Sequence, residues 1–448
     1  MELEESLHNL TGDQKKALIY TVQSLTAQNE TFMCWRGDAG SGKTYLVDVL
    51  RQILLPRGWK IRGVAPTGAA AANLHEESRI PAVTLAAFLA YYEGIKRRRS
   101  ADSMLIVVDE SSMIGITDMA RLTRVCERLG MNLLLIGDPS QLTPLTAGDP
   151  FTNLCDFARG AGVLVELHEN FRQRHSGLRH ACDLARARNM PASLGALRDL
   201  GWVREIGPPE ERWAEIARLF RPGMLVISPS ALSCMEINRR IREKLFPLRL
   251  RRAAVKFRAR RKRSEFDVEI LPGDRIVCTK NLYGRLNLRN GFTGTVADIG
   301  RDRFTVRLDG GRTVEINPAL YPWFDHGYAV TTWKAQGRTV GTVLIDADTT
   351  RKDLETMRAQ YVQITRARDF CLIFTDDWEN LLFLARLGQH AETTLSWGWP
   401  DVTLEECLAR RETIRQTVHS ELLESFEEPF EKGCKPFPNH RSMVSNIA

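Results

Sequence analysis

Several features are scarce or missing in this sequence of 448 residues. No run of 18 apolar residues occurs, which excludes a conventional membrane-spanning helix. Cysteines stand at positions 34, 126, 155, 182, 234, 278, 371, 407 and 434, and none forms a Cys-x-x-Cys pair. That spacing argues against a zinc or iron–sulfur site, and a chain of this size suggests no disulfide framework. The first residues, MELEESLHNLTGDQ, are acidic and polar, unlike a secretory signal. No repeat of 20–50 residues is visible, so a solenoid is not expected. These absences read as an intracellular, cytoplasmic protein of a reducing compartment.

Hydrophobic residues make up 43% and charged residues 26%, the composition of an ordinary globular chain. At ~100–200 residues per domain the length allows two to four domains. Lys plus Arg exceed Asp plus Glu by 62 − 55 = 7. That mild excess permits a polyanionic partner without requiring one.

Short apolar segments alternate with helical spacing. Thr31–Trp35, Lys60–Ala65, Met104–Val108 and Asn132–Ile136 read as strands, with helices over 15–28, from about Tyr45 to Leu55 and from near Gly68. Such alternation predicts a parallel sheet wrapped by helices. It recurs with Met224–Ser228, Val343–Ile345 and Phe370–Phe374 as strands, and Met235–Leu245 and Leu354–Tyr361 as helices. Between the parts of this second lobe, about 268–317, short alternating strands are separated by Gly-rich turns such as Asp309-Gly310-Gly311, a hairpin signal. This texture predicts a small inserted β-barrel.

Gly37-Asp38-Ala39-Gly40-Ser41-Gly42-Lys43-Thr44 fits the phosphate-binding pattern between a strand and a helix. Glycines let backbone N–H groups converge on phosphate oxygens, and the helix N-terminus adds positive potential. Lys43 is expected on the β- and γ-phosphates and Thr44 on Mg²⁺. Asp109-Glu110 follows a five-residue apolar strand, where Asp109 would hold the Mg²⁺ shell and Glu110 would polarise the attacking water. The two motifs point to hydrolysis of a nucleoside triphosphate, with ATP and Mg²⁺ as cofactors.

Further segments carry a resemblance. Leu10–Gln14, Ala65–Leu74, Asp109–Met113, Gly137–Pro144, Glu169–Gln173, Thr331–Gly337 and Tyr361–Arg368 resemble, in order, the motifs of superfamily 1B helicases of the RecD/Dda type. The resemblance covers residues 10–368 and implies two RecA-like lobes, the second carrying an SH3-like barrel. It implies that Gln14 reads the adenine and Gln141 senses the γ-phosphate, with Arg172 and Arg366 as arginine fingers and Gly337 on the nucleotide. Pro66, Thr67, Thr84, Phe88, Thr331, Trp333 and Lys334 are its implied nucleic-acid contacts. The implied domains are 1–170 for the first lobe, with a short segment near 88–103; 171–267 and 318–380 for the second; 268–317 for the barrel; and 381–448 for a helical extension and tail. The expected activity is 5′→3′ movement of a monomer on single-stranded DNA, such as a duplex with a 5′ tail, alongside a single-strand-binding protein, in replication, repair or recombination. The chain starts almost at the first motif, so no fused nuclease or relaxase domain is expected.

The chain also departs from the pattern. Trp333 stands where His is usual, and is read either as a base-stacking platform or as packing between lobes. The Thr-x-His element reads Thr84-Leu85-Ala86, and Thr143 replaces a common Pro. Only Leu85–Val108 is available for the strand-separating pin, so little room remains for one. A translocase that strips bound proteins, an RNA helicase and an inert binding subunit are the rival readings. Two basic runs, Lys96–Arg99 and Arg249–Arg263, are read either as solvated loops or as phosphate contacts. Tyr91 and Tyr92 are read as core or as base platforms.

Overall fold

A computed structural model of the chain describes residues 2–26, 32–96, 103–144, 148–160, 164–248, 252, 254–261, 264–282 and 286–387. The first lobe holds strands β1 (Phe32–Gly37), β2 (Lys60–Ala65), β3 (Ala82–Thr84), β4 (Met104–Val108), β5 (Asn132–Gly137) and β6 (Leu164–Leu167). They form one parallel sheet in the order β3-β2-β4-β5-β1-β6. The period-2 geometry of a strand sends alternate residues to opposite faces. Met33, Trp35, Leu105, Val107, Leu134 and Ile136 pack with helices α1 (Glu2–His8), α2 (Gly12–Thr26), α3 (Lys43–Leu54) and α4 (Gly68–Ser78). Cys34, Ile106, Val108, Leu133 and Leu135 pack with α5 (Leu85–Tyr92), α6 (Ile116–Arg128) and α7 (Pro150–Gly160). Both faces are covered, which is why β4 is apolar throughout.

The second lobe repeats the plan. It holds α8 (Ser176–Arg186), α9 (Met190–Asp199), β7 (Val203–Glu205), α10 (Pro209–Leu219), β8 (Leu225–Ser228) and α11 (Ala231–Leu245). An antiparallel unit follows. Its first hairpin is β9 (Val255–Arg261) with β10 (Ser264–Ile270). A five-stranded sheet comes next, with β11 (Arg275–Cys278), β12 (Thr293–Ile299), β13 (Phe304–Leu308), β14 (Thr313–Ile316) and β15 (Phe324–His326) in the order β14-β13-β12-β11-β15. The lobe resumes with β16 (Ala329–Thr331), α12 (Thr332–Ala335), β17 (Val340–Ala347), α13 (Met357–Thr365), β18 (Ala367–Thr375) and α14 (Trp378–Arg386). Its parallel sheet runs β16-β8-β17-β18-β7. Leu225, Ile227, Val343, Ile345 and Ile373 face α8, α9, α13 and α14, whereas Val226, Leu344, Leu372 and Phe374 face α10 and α11. A buried ion pair, Arg212 to Asp346 at 2.7 Å, fastens α10 to β17. Ser228 and the Trp213 indole also donate to that carboxylate, which satisfies its remaining acceptor sites.

The antiparallel unit starts at Val255, earlier than the expected 268, and ends at His326. Phe257, Ala259, Val268 and Ile270 of the hairpin share one core with Ile276, Val296, Phe304 and Phe324. Arg and Lys at every second position of β9 hid its two inward residues behind a run of positive charge. Asp309–Gly311 does turn β13 into β14, with Gly311 at φ +83°. Residues 388–448, Arg97–Arg99 of the first basic run, and Arg249–Arg251, Lys262 and Arg263 of the second lie outside the described residues, as do Cys407 and Cys434. No described helix is long and apolar enough to cross a membrane.

Candidate nucleotide site between the lobes

β1 delivers the loop 37–44 to the top of α3. Gly40 and Gly42 hold φ of +89° and +78°, a region costly for residues with a Cβ. A Cβ on Gly37 would lie 2.7 Å from the Ser41 hydroxyl, and one on Gly40 would lie 2.7 Å from Cβ of Arg172. The loop is therefore glycine-rich for two reasons, its own turn and the close approach of the second lobe. Lys43 Nζ donates to the carbonyls of Gly37 (2.6 Å) and Asp38 (2.8 Å). Burial lowers its pKa, and the nearby carboxylates of Asp138, Glu110 and Asp109 oppose that shift.

The acidic half of the site sits at the ends of β4 and β5. The Asp109 carboxyl is pushed up to about 7 by burial, then by Glu110 and, more weakly, by Glu77; Lys43 pulls the other way. Glu110 adopts φ +51°, ψ +40°, a left-handed conformation that a non-glycine residue rarely keeps without a surrounding reason. Its N–H donates to Asp109 Oδ1 at 2.9 Å. Glu77, from α4, accepts from the Thr44 hydroxyl. Thr44, Asp109 and Glu77 thus offer the oxygen donors that suit a hard divalent cation.

Gln14 bridges two elements. Its Oε1 accepts from the N–H of Thr11 (3.2 Å), and its Nε2 donates to the carbonyl of Ser41 (3.2 Å). Beside it, the Phe171 ring is 55% exposed and lies 3.8 Å from a Cβ placed on Gly42. The Phe171 N–H donates to the Gly40 carbonyl at 2.9 Å, so the segment 169–173 is tied directly to the phosphate loop. Phe171 was missed in the sequence, where only the neighbouring arginine was weighed.

Second-lobe side chains close the cleft. The Tyr361 hydroxyl donates to Asp138 Oδ2 (2.9 Å) and accepts from the Ala39 N–H (3.3 Å). Gln336 Nε2 donates to Gln141 Oε1 (3.0 Å) and to Glu110 Oε2 (3.4 Å). Gln141 Nε2 donates in turn to Asp138 Oδ2 at 3.2 Å. Arg186 of α8 donates to the Ala39 carbonyl at 2.9 Å, with Nε 3.8 Å from Asp38. Partial burial, and then the nearby Asp138 charge, raise the half-buried Asp38 to about 6. Tyr361, Gln336 and Asp138 all lie in the motif text, yet only the fold shows that they meet.

The two expected fingers lie together. Arg172 donates to the Thr365 carbonyl at 3.0 Å. Burial and the neighbouring Arg366 charge lower it to about 10. Arg366 is buried, and its guanidinium is spent on Val362, Thr365 and Arg338 of its own lobe. Gly337 is placed against α4 instead of the phosphate loop, and its carbonyl accepts from Asn73 Nδ2 at 2.9 Å. Its φ of +78° makes the turn beside the Gln336 amide, which does reach the acidic residues.

Two expected nucleic-acid contacts are corrected. Phe88 lies in the first-lobe core, with its ring centroid 4.6 Å from that of Tyr92, so it has no face for a base. Thr84 is buried and its side chain caps α5, accepting from the Ala87 N–H. Pro66 and Thr67 remain half-exposed at the start of α4, where the Thr67 hydroxyl accepts from Ala70. Trp333 packs its half-buried ring on the second-lobe core, and Thr331 and Lys334 flank it. Burial lowers the Lys334 ammonium, and Asp325 counters it. Tyr91 stays exposed. Within the second basic run the cations of β9 are paired: Lys256 with Glu269, Arg258 with Glu265 and Asp267, Arg260 with Glu265, and Arg261 with Asp325.

The chain is similar to known proteins in sequence and in fold. Residues 9–208 match the AAA domain family. The chain is similar to the conjugal transfer protein TraA of Rhizobium radiobacter, 32% identical over 377 residues, covering 81% of this chain and 32% of that one. It is similar to the ATP-dependent RecD2 DNA helicase of Deinococcus radiodurans, 29% identical over 350 residues, covering 74% and 45%. The fold matches a Bacteroides Pif1 bound to single-stranded DNA with a TM-score of 0.56 at 18% identity, covering 91% of this chain and 96% of that one. The chain spans about a third of the length of the TraA proteins that it matches.

Proposed function

We propose that this chain is a RecD/Pif1-type helicase of superfamily 1B that hydrolyses ATP in the cleft between its lobes and moves 5′→3′ along single-stranded DNA. The observation that carries the reading is the composite site. The phosphate loop and the carboxylates come from one lobe, while Gln336, Tyr361, Arg172 and Arg366 come from the other. Nucleotide held by both sides draws them together, and its loss releases them.

The roles follow from position. The backbone of 37–44 and Lys43 would hold the ATP phosphates, and Thr44 and Asp109 would hold Mg²⁺, which would supply positive charge to the phosphates during transfer. Glu110, already steered by Gln336, orients the attacking water. Gln141 contacts the γ-phosphate, and Arg172 and Arg366 turn from their carbonyl partners toward the charge that develops there. Gln14 and the exposed Phe171 ring take the adenine edge and face. Pro66, Thr67, Thr331, Trp333 and Lys334 line the strand path.

The division into lobes follows 1–170 and 171–380, the second interrupted by an antiparallel unit that we read as an SH3-like barrel. The chain acts as a soluble cytoplasmic monomer, in DNA replication, repair, recombination or transfer. A second reading is favoured by one observation: α5 ends at Tyr92 and β4 begins at Met104, which leaves no room for a long pin. On that reading the motor strips proteins from single strands and separates duplexes weakly.

The deciding experiment measures ATP hydrolysis alone, with single-stranded DNA, with duplex and with RNA. Strong stimulation by single-stranded DNA is expected. Brisk hydrolysis indifferent to nucleic acid removes the motor, and stronger stimulation by RNA changes its track. Strand displacement beside translocation separates the two readings.

A further inference from the structure

Arg358 has no role in the chemistry above. It lies on α13, one turn before Tyr361, and its side chain is about 10% exposed. One of its N–H groups donates to the carbonyl of Gln141 at 3.1 Å, and another reaches Asp149 Oδ2 at 3.5 Å. Those two residues bracket the segment that follows β5. The other Asp149 oxygen accepts from the Thr152 N–H (3.3 Å) at the start of α7. A guanidinium from the second lobe is thus pinned to two first-lobe residues, Gln141 after β5 and Asp149 just before α7. A lysine, with its single ammonium, does not reproduce that forked reach.

Gln141 is held from three directions. Arg358 takes its carbonyl, Gln336 its side-chain oxygen, and Asp138 its side-chain nitrogen, while Tyr361 fixes Asp138. Arg358 and Tyr361 are three residues apart on one helix and therefore share a face. Any movement of the Gln141 loop is transmitted to α13 through this pair of contacts.

We propose that Arg358 is a positioning residue: paired with Asp149, it locks the Gln141 loop to α13, so that the state of the γ-phosphate is passed to the second lobe. The proposal rests on the ATP-driven reading above. The hydrogen bonds of Arg358 go to Gln141 and Asp149, and none goes to the phosphate loop 37–44. Breaking the pair uncouples the lobes while the phosphate loop keeps its ligand.

The test uses the full chain and steady-state ATP hydrolysis at saturating single-stranded DNA, with affinity for a fluorescent non-hydrolysable ATP analogue measured beside it. Asp149→Asn retains an oxygen to cap α7 and removes only the charge. Arg358→Gln removes the fork, and Arg358→Lys keeps the charge. Asp149→Asn and Arg358→Gln should each lower the stimulated kcat by about tenfold, with KM for ATP and analogue affinity changed by less than about twofold. The double variant should be no worse than either single, because both break one contact, and Arg358→Lys should restore little. The proposal is overturned if KM rises while kcat holds, if the two effects multiply, or if all variants keep full stimulation. Urea midpoints of Asp149→Asn at the unmodified value confirm that a lowered kcat is not lost fold. If the unmodified chain shows no stimulated hydrolysis, the motor reading falls first and this proposal falls with it.

Discussion

The two lobes share a sheet plan and divide the chemistry unequally. In the first, the functional groups sit on consecutive residues at strand ends: 37–44 after β1, Asp109 and Glu110 after β4, and Asp138 with Gln141 after β5. In the second, Arg186 of α8, Gln336 after α12, and Arg358 and Tyr361 of α13 reach across, while Arg366 is held by its own lobe. On the proposed reading, the first lobe carries the phosphate-binding groups by itself. The second is a set of arms whose meaning depends on the first. A change in the first lobe should therefore abolish binding or chemistry outright, whereas one in the second should cost rate more than affinity.

The largest expected effect tests the first half of that contrast. Lys43→Ala removes the only ammonium inside the phosphate loop and should reduce hydrolysis by about a thousandfold or more. Weak binding to single-stranded DNA should survive in a filter or anisotropy assay. Ordinary turnover in this variant would mean that the loop 37–44 is not the phosphate site.

Arg366→Ala tests the other half. Loss of an arginine finger costs on the order of 10³ in kcat while the ground state is bound nearly as before. Because Arg366 is satisfied by its own lobe in this conformation, ATP affinity should change little. A pure affinity loss with kcat preserved would place Arg366 in binding and erase the distinction between the lobes.

A smaller effect concerns the carboxylates alone. Asp109 has a folded pKa near 7, above its ordinary value of 3.8. A carboxyl raised by folding binds more protons in the native state than in the unfolded one between those values. Stability must then fall as pH rises from about 4 through 7. In EDTA, the Tm of the chain should decline from pH 5 to pH 8, and Asp109→Asn should flatten that decline. A divalent cation should restore the Tm at pH 8. A pH profile unchanged by Asp109→Asn would show that the cluster is better solvated than its packing indicates.

These contrasts also explain what the sequence could disclose. The parallel lobes were legible because burial on both faces demands unbroken apolar runs such as Met104–Val108. The phosphate loop was legible because its glycines answer local backbone needs. Gln336 and Arg186 were not, since nothing in one strand of text says which side chain crosses a cleft. Phe88 and Thr84 were misread for the opposite reason: a motif names a position, and the fold turned that position inward. The hairpin at 255–270 was hidden because its charges mask a two-residue apolar stripe.

That hairpin supplies the smallest prediction. A dense basic run ordinarily makes binding to nucleic acid stronger and more salt-sensitive, one released counterion at a time. Here β10 sets Glu265, Asp267 and Glu269 across from Arg260, Arg258 and Lys256 in register. The described surface is a ladder of paired charges with little net field. Exposed pairs of this kind are screened by solvent and contribute little to stability. Arg258→Ala combined with Arg260→Ala should therefore leave the salt dependence of single-strand binding unchanged, and should leave the urea midpoint nearly unchanged. Lys334→Ala, on α12 and outside that ladder, should weaken binding several-fold under the same conditions. If the hairpin variant instead loses affinity and its salt slope falls by about two, the acids of β10 give way to phosphate, and the strand path extends from the cleft onto the inserted unit.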